Sequence, residues 1–163
     1  MNLKSYSWWS YLETGQQEGL KTAFALLARE KVSPIQNVDD YSFIVFPAAK
    51  AYEGFLKKLF YDLGFITKQA YEGDRFRIGR ALNPNLEREW RYESIYDKLI
   101  GYCRGKNLPD QLWDTWKKSR NSIFHWWPAH KNEITLADAE DRLNMIVTTI
   151  NSAMEECKIN KEN

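Results

Sequence analysis

Residues 136–157 read LADAEDRLNMIVTTINSAMEEC, and their apolar side chains recur at every third or fourth position. This period places the apolar side chains on one face of an α-helix, as in a helix that packs against a core. Thr135 directly precedes the run and Asp138 follows three residues later, in a variant of the capping box with which many helices begin. The stretch therefore predicts a long amphipathic helix that begins after Thr135.

The first third of the chain shows the same period. Its apolar positions predict a helix that ends near Lys31, and we expect Gly15 and Gly19 to break or loosen its first half, because each glycine costs about 1 kcal/mol relative to alanine. Trp8 and Trp9 precede this helix. They belong either to the core or to a surface that faces a partner, since tryptophan is enriched in both places.

Three further segments complete the helical pattern. Residues 41–64 predict a second long helix, with Pro47 in its first turn or at a kink and Gly64 directly after its end. Residues 92–104 predict a short third helix, and Asp110–Trp127 predict a fourth that is followed by a proline. No segment has the alternating pattern of a strand.

The whole sequence predicts one all-α domain that covers residues 1–163. We expect a bundle of four to five helices, with an irregular insertion around residues 65–91 and a frayed tail at residues 158–163. A chain of 163 residues with 44% hydrophobic residues is long enough to bury a real core.

Composition also limits the classes of function. Cys103 and Cys157 are the only cysteines and lack the spacing of a metal site, so we expect no metal, no cofactor and two free thiols in a reducing cytoplasm. No window approaches the roughly 20 apolar residues of a membrane span, so no membrane association is expected. The formal net charge is +1, so any site for nucleic acid has to be a local basic patch.

The insertion holds one such patch. Arg75, Arg77 and Arg80 form a local cationic group within residues 65–91. Long connections in compact domains are often functional, and arginine binds phosphate well. The group is interpreted either as a solvated loop or as a set of phosphate contacts, with Arg80 as the candidate RNA-binding residue.

The fourth predicted helix carries the pattern Arg120-Asn121-x-x-x-His125. Arginine holds a negative charge, and imidazole accepts and donates a proton near neutral pH, so the pair suits phosphate chemistry. On an ideal helix Arg120 falls on the buried stripe, where it needs a partner, whereas Lys118, Asn121 and His125 lie on the other side.

On the same projection Arg120 and His125 are about 140° apart, so their side chains do not converge by local geometry. Either the helix unwinds before His125, or a second copy of the chain completes the cleft across a two-fold axis. A structural interpretation also stays open, in which Arg120 is a core arginine with its own partner and His125 is a surface residue.

The second helix supplies the candidate partner. Lys50, Glu53 and Lys57 share one face at spacings of three and four residues. This arrangement is either a surface ladder of weak ion pairs or a site in which Glu53 holds Arg120 or His125 while the lysines contact phosphates. Gly54 interrupts a good helix, and a close approach of another helix there would explain it.

These residues together resemble the HEPN superfamily, whose motif is an arginine followed at a short spacing by a histidine. The order of the Glu53 helix, the Arg120…His125 helix and a closing amphipathic helix is similar to the RnlA-type (RNase LS) toxin domains. The resemblance implies a metal-independent endoribonuclease that acts as a homodimer. Two motifs in a composite cleft would cut RNA through attack of its own 2′-OH, leaving a 2′,3′-cyclic phosphate and a 5′-OH.

The resemblance also implies roles for individual residues. His125 would be the general acid/base, Arg120 would stabilise the scissile phosphate, Asn121 would position the 2′-OH or His125, and Glu53 would orient Arg120 or His125. The expected RNA-binding residues are Lys50, Lys57, Lys118 and Arg80. Many members of the superfamily are toxins or phage-defence effectors that a cognate antitoxin restrains. The alternative is a non-catalytic HEPN-like module that binds a partner protein or a nucleotide.

Overall fold

The computed structural model describes residues 2–125, residue 128 and residues 132–157. Within these ranges the α-helices are α1 (Thr14–Val32), α2 (Ser42–Asp62), α3 (Lys68–Glu72), α4 (Ile78–Ala81), α5 (Ile95–Cys103), α6 (Asn107–Trp116) and α7 (Leu136–Glu156). Short 3-10 helices lie at Leu3–Ser5, Ser7–Tyr11 and Arg88–Glu93, and a π-helical turn lies at Lys117–Asn121. The described residues contain no strand, so the prediction of an all-α bundle is confirmed. The predictions for Trp126, Trp127 and the tail 158–163 fall outside the described residues.

The centre of the bundle is formed by α1, α2 and α7, which all contact one another. Each contributes apolar side chains to one core: Leu20 and Leu27 from α1, Phe55 and Phe60 from α2, and Ile146 and Ile150 from α7. The sequence period predicts these contacts, because residues three and four apart share a helix face.

Two glycines permit the close packing of α1 against α2. A Cβ atom on Gly19 would lie 2.7 Å from the backbone oxygen of Pro47, and one on Gly54 would lie 3.0 Å from Nε2 of Gln16. The expected break at Gly15 and Gly19 is wrong, since α1 runs without interruption from Thr14 to Val32. Packing against α2 offsets the low helix propensity of glycine. The expected close approach at Gly54 is observed.

The ends of α2 are fixed by local chemistry. A carboxylate oxygen of Asp40 accepts hydrogen bonds from the backbone N–H of Ser42 at 3.0 Å and of Ile134 at 3.2 Å, so one side chain ties the start of α2 to the start of α7. Pro47 lies inside α2, beyond its first turn. Gly64 follows the end of α2 with φ of +71°, in the left-handed conformation that the sequence predicts for a glycine at this place.

The N-terminal aromatic residues and α7 also agree with the sequence. Trp8 is buried and its indole N–H donates to Oδ1 of Asn151 at 3.2 Å, whereas Trp9 is half-buried. The capping box of α7 forms as predicted, because Oγ1 of Thr135 accepts from the backbone N–H of Asp138 and the Asp138 carboxylate accepts from the backbone N–H of Thr135. Among the described residues, no helix is long and apolar enough to cross a membrane.

The insertion at residues 65–91 contains the two shortest helices, α3 and α4, and the start of the 3-10 helix Arg88–Glu93. It is held to α2 by the ammonium group of Lys57, which donates to the backbone oxygen of Gly73 at 2.5 Å. Burial of Ile78, Ala81 and Leu82 attaches α4 to the core. The insertion is therefore an irregular but docked part of the domain.

Candidate functional site

The segment that carries Arg120 and His125 leaves the α-helical path. Helix α6 ends at Trp116, and the backbone N–H of Ser122 donates to the oxygen of Lys117 at 2.9 Å, across five residues rather than four. Residues 122–125 then form turns. The predicted continuous helix Asp110–Trp127 is therefore wrong. Of the two ways to relieve the 140° offset, unwinding before His125 is the one that this chain shows.

Helix α7 contacts the π-helical turn on its buried side. The Nε atom of Arg142 donates to the backbone oxygen of Lys118 at 3.1 Å, and Oγ of the buried Ser119 lies 3.9 Å from the sulfur of Met145. A side chain that bonds to a helix carbonyl competes with the regular hydrogen-bond ladder, and such competition is one cause of helix kinks. Single π-turns inside helices are rare and occur frequently at functional sites.

The wide turn changes the position of Arg120. Ser119 is buried where the projection places Arg120, and 34% of the Arg120 side chain is exposed, so the prediction of a buried Arg120 is wrong. The guanidinium lies over the ring of Trp116 at 5.0 Å, and its Nε atom lies 3.7 Å from Oε2 of Glu53. The expected partnership with Glu53 thus exists at the surface, where a ligand can reach the guanidinium.

One face of α2 runs along the whole motif segment. Its Phe46 packs edge-on against Phe124 with ring centroids 5.3 Å apart, and its Glu53 pairs with Arg120. The two contacts are seven residues apart on α2, or about 10 Å at 1.5 Å per residue. Lys50 lies between them, and its ammonium group is 5.8 Å from the ring of Phe46. A cation therefore stands between the Arg120 end and the His125 end of the site.

His125 and Asn121 occupy the outer part of the segment. His125 is exposed, and the side-chain amide of Asn132 donates to its backbone oxygen. Asn121 is half-buried at the end of the π-helical turn. The structure thus brings Glu53 and Arg120 into contact and leaves the imidazole of His125 on the accessible surface beyond them.

The four predicted RNA-binding residues differ in their surroundings. Lys118 is exposed, and Lys50 lies on the Phe46 ring. Lys57 is tied to the insertion through Gly73, and Arg80 pairs with Glu93 at 3.0 Å. Contact of each of these residues with RNA stays a prediction.

Sequence reasoning missed three residues of the site. The ring of Trp116 packs under the guanidinium of Arg120. The two residues are four positions apart, a spacing at which side chains contact each other on a helix, so the sequence contained a signal for this pair. Phe46 is 50% exposed at the His125 end, and Arg142 holds the turn. No sequence signal connects Arg142 to the motif. In the described part of the chain, no group of three or more His, Cys, Asp or Glu side chains is placed to hold a metal ion.

Comparison with known proteins gives one informative result. Residues 17–126 match the family described as RNase LS, bacterial toxin DBD domain (RnlA-toxin DBD), whereas neither the curated proteins nor the solved structures give a match. The matched range covers about two thirds of the chain and contains α1 from residue 17 onward, α2 to α6, the π-helical turn, Glu53, Arg120 and His125. The chain belongs to the RNase LS bacterial toxin DBD domain family.

Proposed function

We propose that this chain is a metal-independent endoribonuclease of the HEPN type that acts as a toxin or phage-defence effector. The observation that carries the proposal is the partly exposed side chain of Arg120, which contacts Glu53 and Trp116, five residues before the exposed His125. The family match supports it, because its description names an RNase toxin and its range contains these residues.

The chemistry follows from the two side chains. Attack of the 2′-OH on the adjacent phosphorus forms a 2′,3′-cyclic phosphate and breaks the bond to O5′, which leaves as a 5′-OH. One group has to take the proton of the 2′-OH, and another has to give a proton to O5′. Arg120 binds the phosphate and stabilises the negative charge that develops on it. His125 transfers a proton, Asn121 positions the 2′-OH or His125, and Lys50 adds positive charge between the two ends.

The proton count supports a homodimer. A single imidazole cannot serve at once as the base at the 2′-OH and as the acid at O5′, whereas two copies of His125 across a two-fold axis supply one of each. The toxin family also implies an antitoxin protein as a partner, and blocking the surface around Arg120 would be the simplest way to neutralise the enzyme.

Cleavage of a labelled RNA in EDTA tests the proposal. We expect the native chain to cut it, and we expect Arg120→Ala and His125→Ala each to lower the rate by about 100-fold or more. Arg88→Ala, which removes an exposed arginine outside the site, and His130→Ala, which removes the other histidine of the chain, are the matched controls. Products with a cyclic phosphate are expected. Cutting that Arg120→Ala and His125→Ala leave unchanged would contradict the assignment of the site.

The dimer has a separate test. Mass measurement at micromolar concentration should show two chains per particle, and the cleavage rate per chain should fall when the protein is diluted below the dissociation constant of that dimer. A particle of one chain whose rate per chain is constant on dilution would contradict the composite cleft and leave the roles of Arg120 and His125 to the first test.

A further inference from the structure

The insertion builds a second cavity, separate from the Arg120 surface. Its volume is about 330 Å³, and its walls come from the segment after α2, from α3 and α4, and from the start of α5. This volume lies at the lower end of the range of small-molecule sites in proteins. The side chains that line it include aromatic rings (Phe65, Phe76 and Tyr92), cations (Arg75, Arg77, Arg80 and Lys98) and one carboxylate (Glu93), beside aliphatic residues and Thr67.

The cavity is strongly cationic in a nearly neutral protein. Four cations and one carboxylate give 4 − 1 = +3 at its wall, against +1 for the whole chain. Glu93 is already used, because it pairs with Arg80 at 3.0 Å. In the described ranges no carboxylate lies within ion-pair distance of Arg75, Arg77 or Lys98. Their positive charge is therefore available to an anionic ligand.

The aromatic residues of the cavity indicate that its ligand has a ring as well as a negative charge. Tyr92 is 70% exposed at the rim, and the rings of Phe65 and Phe76 are half-buried in the wall. Exposed rings next to cations are the combination with which proteins hold nucleotides, since bases stack on rings while phosphates bind the cations. Arg77 donates to the backbone oxygen of Asp74 at 2.7 Å and Lys98 to that of Phe65 at 3.2 Å, but neither bond neutralises the positive charge. A bare phosphate would leave the rings without a contact, and an apolar ligand would leave the cations without a counter-charge.

The cavity is also close to the Arg120 surface, because α4 contacts both. A Cβ atom on Gly79 of α4 would lie 2.9 Å from Nε1 of Trp116, so α4 packs directly on the ring that carries Arg120. Arg80 and Ala81, which follow Gly79, line the cavity. Helix α4 therefore lies between the cavity and the Trp116 ring on which Arg120 rests.

We propose that this cavity binds a nucleotide, with its base stacked on Tyr92 and its phosphate held by Arg75, Arg77 and Lys98. Two sources share this chemistry: a nucleotide of an RNA strand that also contacts Arg120, or a free nucleotide. The RNA source rests on the proposed function, whereas the binding chemistry of the cavity does not.

The test is binding of a fluorescent 2′-O-methyl RNA of about eight nucleotides, followed by anisotropy. This probe lacks the attacking 2′-OH, so the native chain binds it without cutting. We expect Tyr92→Ala to weaken binding about five-fold or more, and we expect Tyr92→Phe, which keeps the ring, to bind as the native chain does. Arg75→Ala/Arg77→Ala should weaken binding and lower the slope of log affinity against log salt by about 1.4, or 0.7 for each lost phosphate contact.

The matched control is Lys4→Ala/Lys106→Ala, which removes two exposed cations that do not line the cavity. It has the same total charge as Arg75→Ala/Arg77→Ala, so it corrects for a general effect of charge. Thermal unfolding of each variant checks that the domain is intact. Equal binding by the two double variants, together with native binding by Tyr92→Ala, would overturn the proposal for RNA.

A second arm uses AMP, with binding measured by calorimetry on the same proteins. Binding of AMP that Tyr92→Ala abolishes identifies a free nucleotide as a ligand, whereas RNA binding that Tyr92→Ala weakens, without AMP binding, identifies the strand. Absence of both kinds of binding overturns the proposal. The two proposals fail separately: cleavage in EDTA by a chain in which Tyr92→Ala changes neither RNA binding nor AMP binding refutes the cavity alone, and binding that Tyr92→Ala weakens, without cleavage by the native chain, refutes the ribonuclease alone.

Discussion

The pair formed by Glu53 and Arg120 allows a prediction in which activity and stability separate. The distance from Nε of Arg120 to Oε2 of Glu53 is 3.7 Å, and the side chains of Arg120 and Glu53 are 34% and 41% exposed. At this distance two unit charges attract by about 1.1 kcal/mol in a medium with the dielectric constant of water. Exposed pairs measured in proteins contribute about 0.2–1 kcal/mol, because ordering the side chains offsets part of the attraction. Glu53→Gln should therefore lower the free energy of unfolding by less than about 1 kcal/mol.

The same change should lower cleavage much more. Glu53 fixes the guanidinium over Trp116, and a misplacement of about 1 Å at a reacting group can cost about 100-fold in rate. We expect Glu53→Gln to reduce kcat about 10- to 100-fold with a small change in KM, because the lost alignment matters most when charge develops on the phosphate.

A double-mutant cycle decides whether Glu53 acts through Arg120. If it does, Glu53→Gln should add little to the loss already caused by Arg120→Ala, since the group that it orients is absent. The assay is cleavage of a labelled RNA in EDTA, with thermal unfolding of every variant measured in parallel. Native kcat in Glu53→Gln, or fully additive losses in the double variant, would refute the positioning role.

Three further predictions concern stability. Gly19→Ala should destabilise the domain by about 1–3 kcal/mol in denaturant unfolding, because the added Cβ meets the backbone oxygen of Pro47 at 2.7 Å, whereas Gly15→Ala, with nothing within 4 Å, should stabilise it by up to about 1 kcal/mol; equal effects would contradict the packing. Thr135→Ala should cost about 1 kcal/mol as a lost helix cap. Hydrogen bonds from Thr135 lower the pKa of Asp138. This carboxylate therefore stabilises the fold above its unfolded pKa, and that stabilisation is lost as the pH falls through the lower folded pKa. In Thr135→Ala, the free energy of unfolding should accordingly fall less on acidification than it does in the native chain. Burial raises the pKa of Cys157 to about 12, so the native thiol should resist alkylation at pH 8 until the domain unfolds, and fast alkylation of the native protein would contradict its burial.

The sequence predicts the long helices well and the motif segment poorly, for one physical reason. The apolar period of α1, α2 and α7 lies within each helix, and the cap at Thr135 is made by a residue three positions away. The π-helical turn contacts α7 instead, through a bond from Arg142 to the backbone oxygen of Lys118 that spans 24 residues. Local periodicity carries no information about such a contact.

Other parts of the site are likewise predictable where they depend on residues close in sequence and unpredictable where they depend on the docking of helices. The sequence predicts Glu53 as a partner of Arg120 or His125, because an arginine in the buried stripe needs a partner. The structure shows the contact with Arg120, but at the surface and not in the core. The cationic cavity is predicted only in part, because Arg75, Arg77 and Arg80 form a visible cluster whereas Lys98 and Tyr92 join it through the docking of α4 and α5. The predicted break at Gly15 and Gly19 is wrong because helix propensity describes an isolated helix, whereas Gly19 packs closely against α2.

The π-helical turn also changes why a second copy of the chain is expected. On an ideal helix the 140° between Arg120 and His125 would itself demand a partner, but the helix ends at Asn121 and the chain beyond it turns. A second copy of the chain is expected instead because the cleavage needs one base and one acid, and each chain supplies a single His125. If a single chain proves active, the acid has to be another group near O5′. Lys50, between the Arg120 and His125 ends of the site, is then the first candidate. In that monomer we expect Lys50→Ala to abolish cutting. Lys50→Arg should be equally inactive, because arginine does not release its proton.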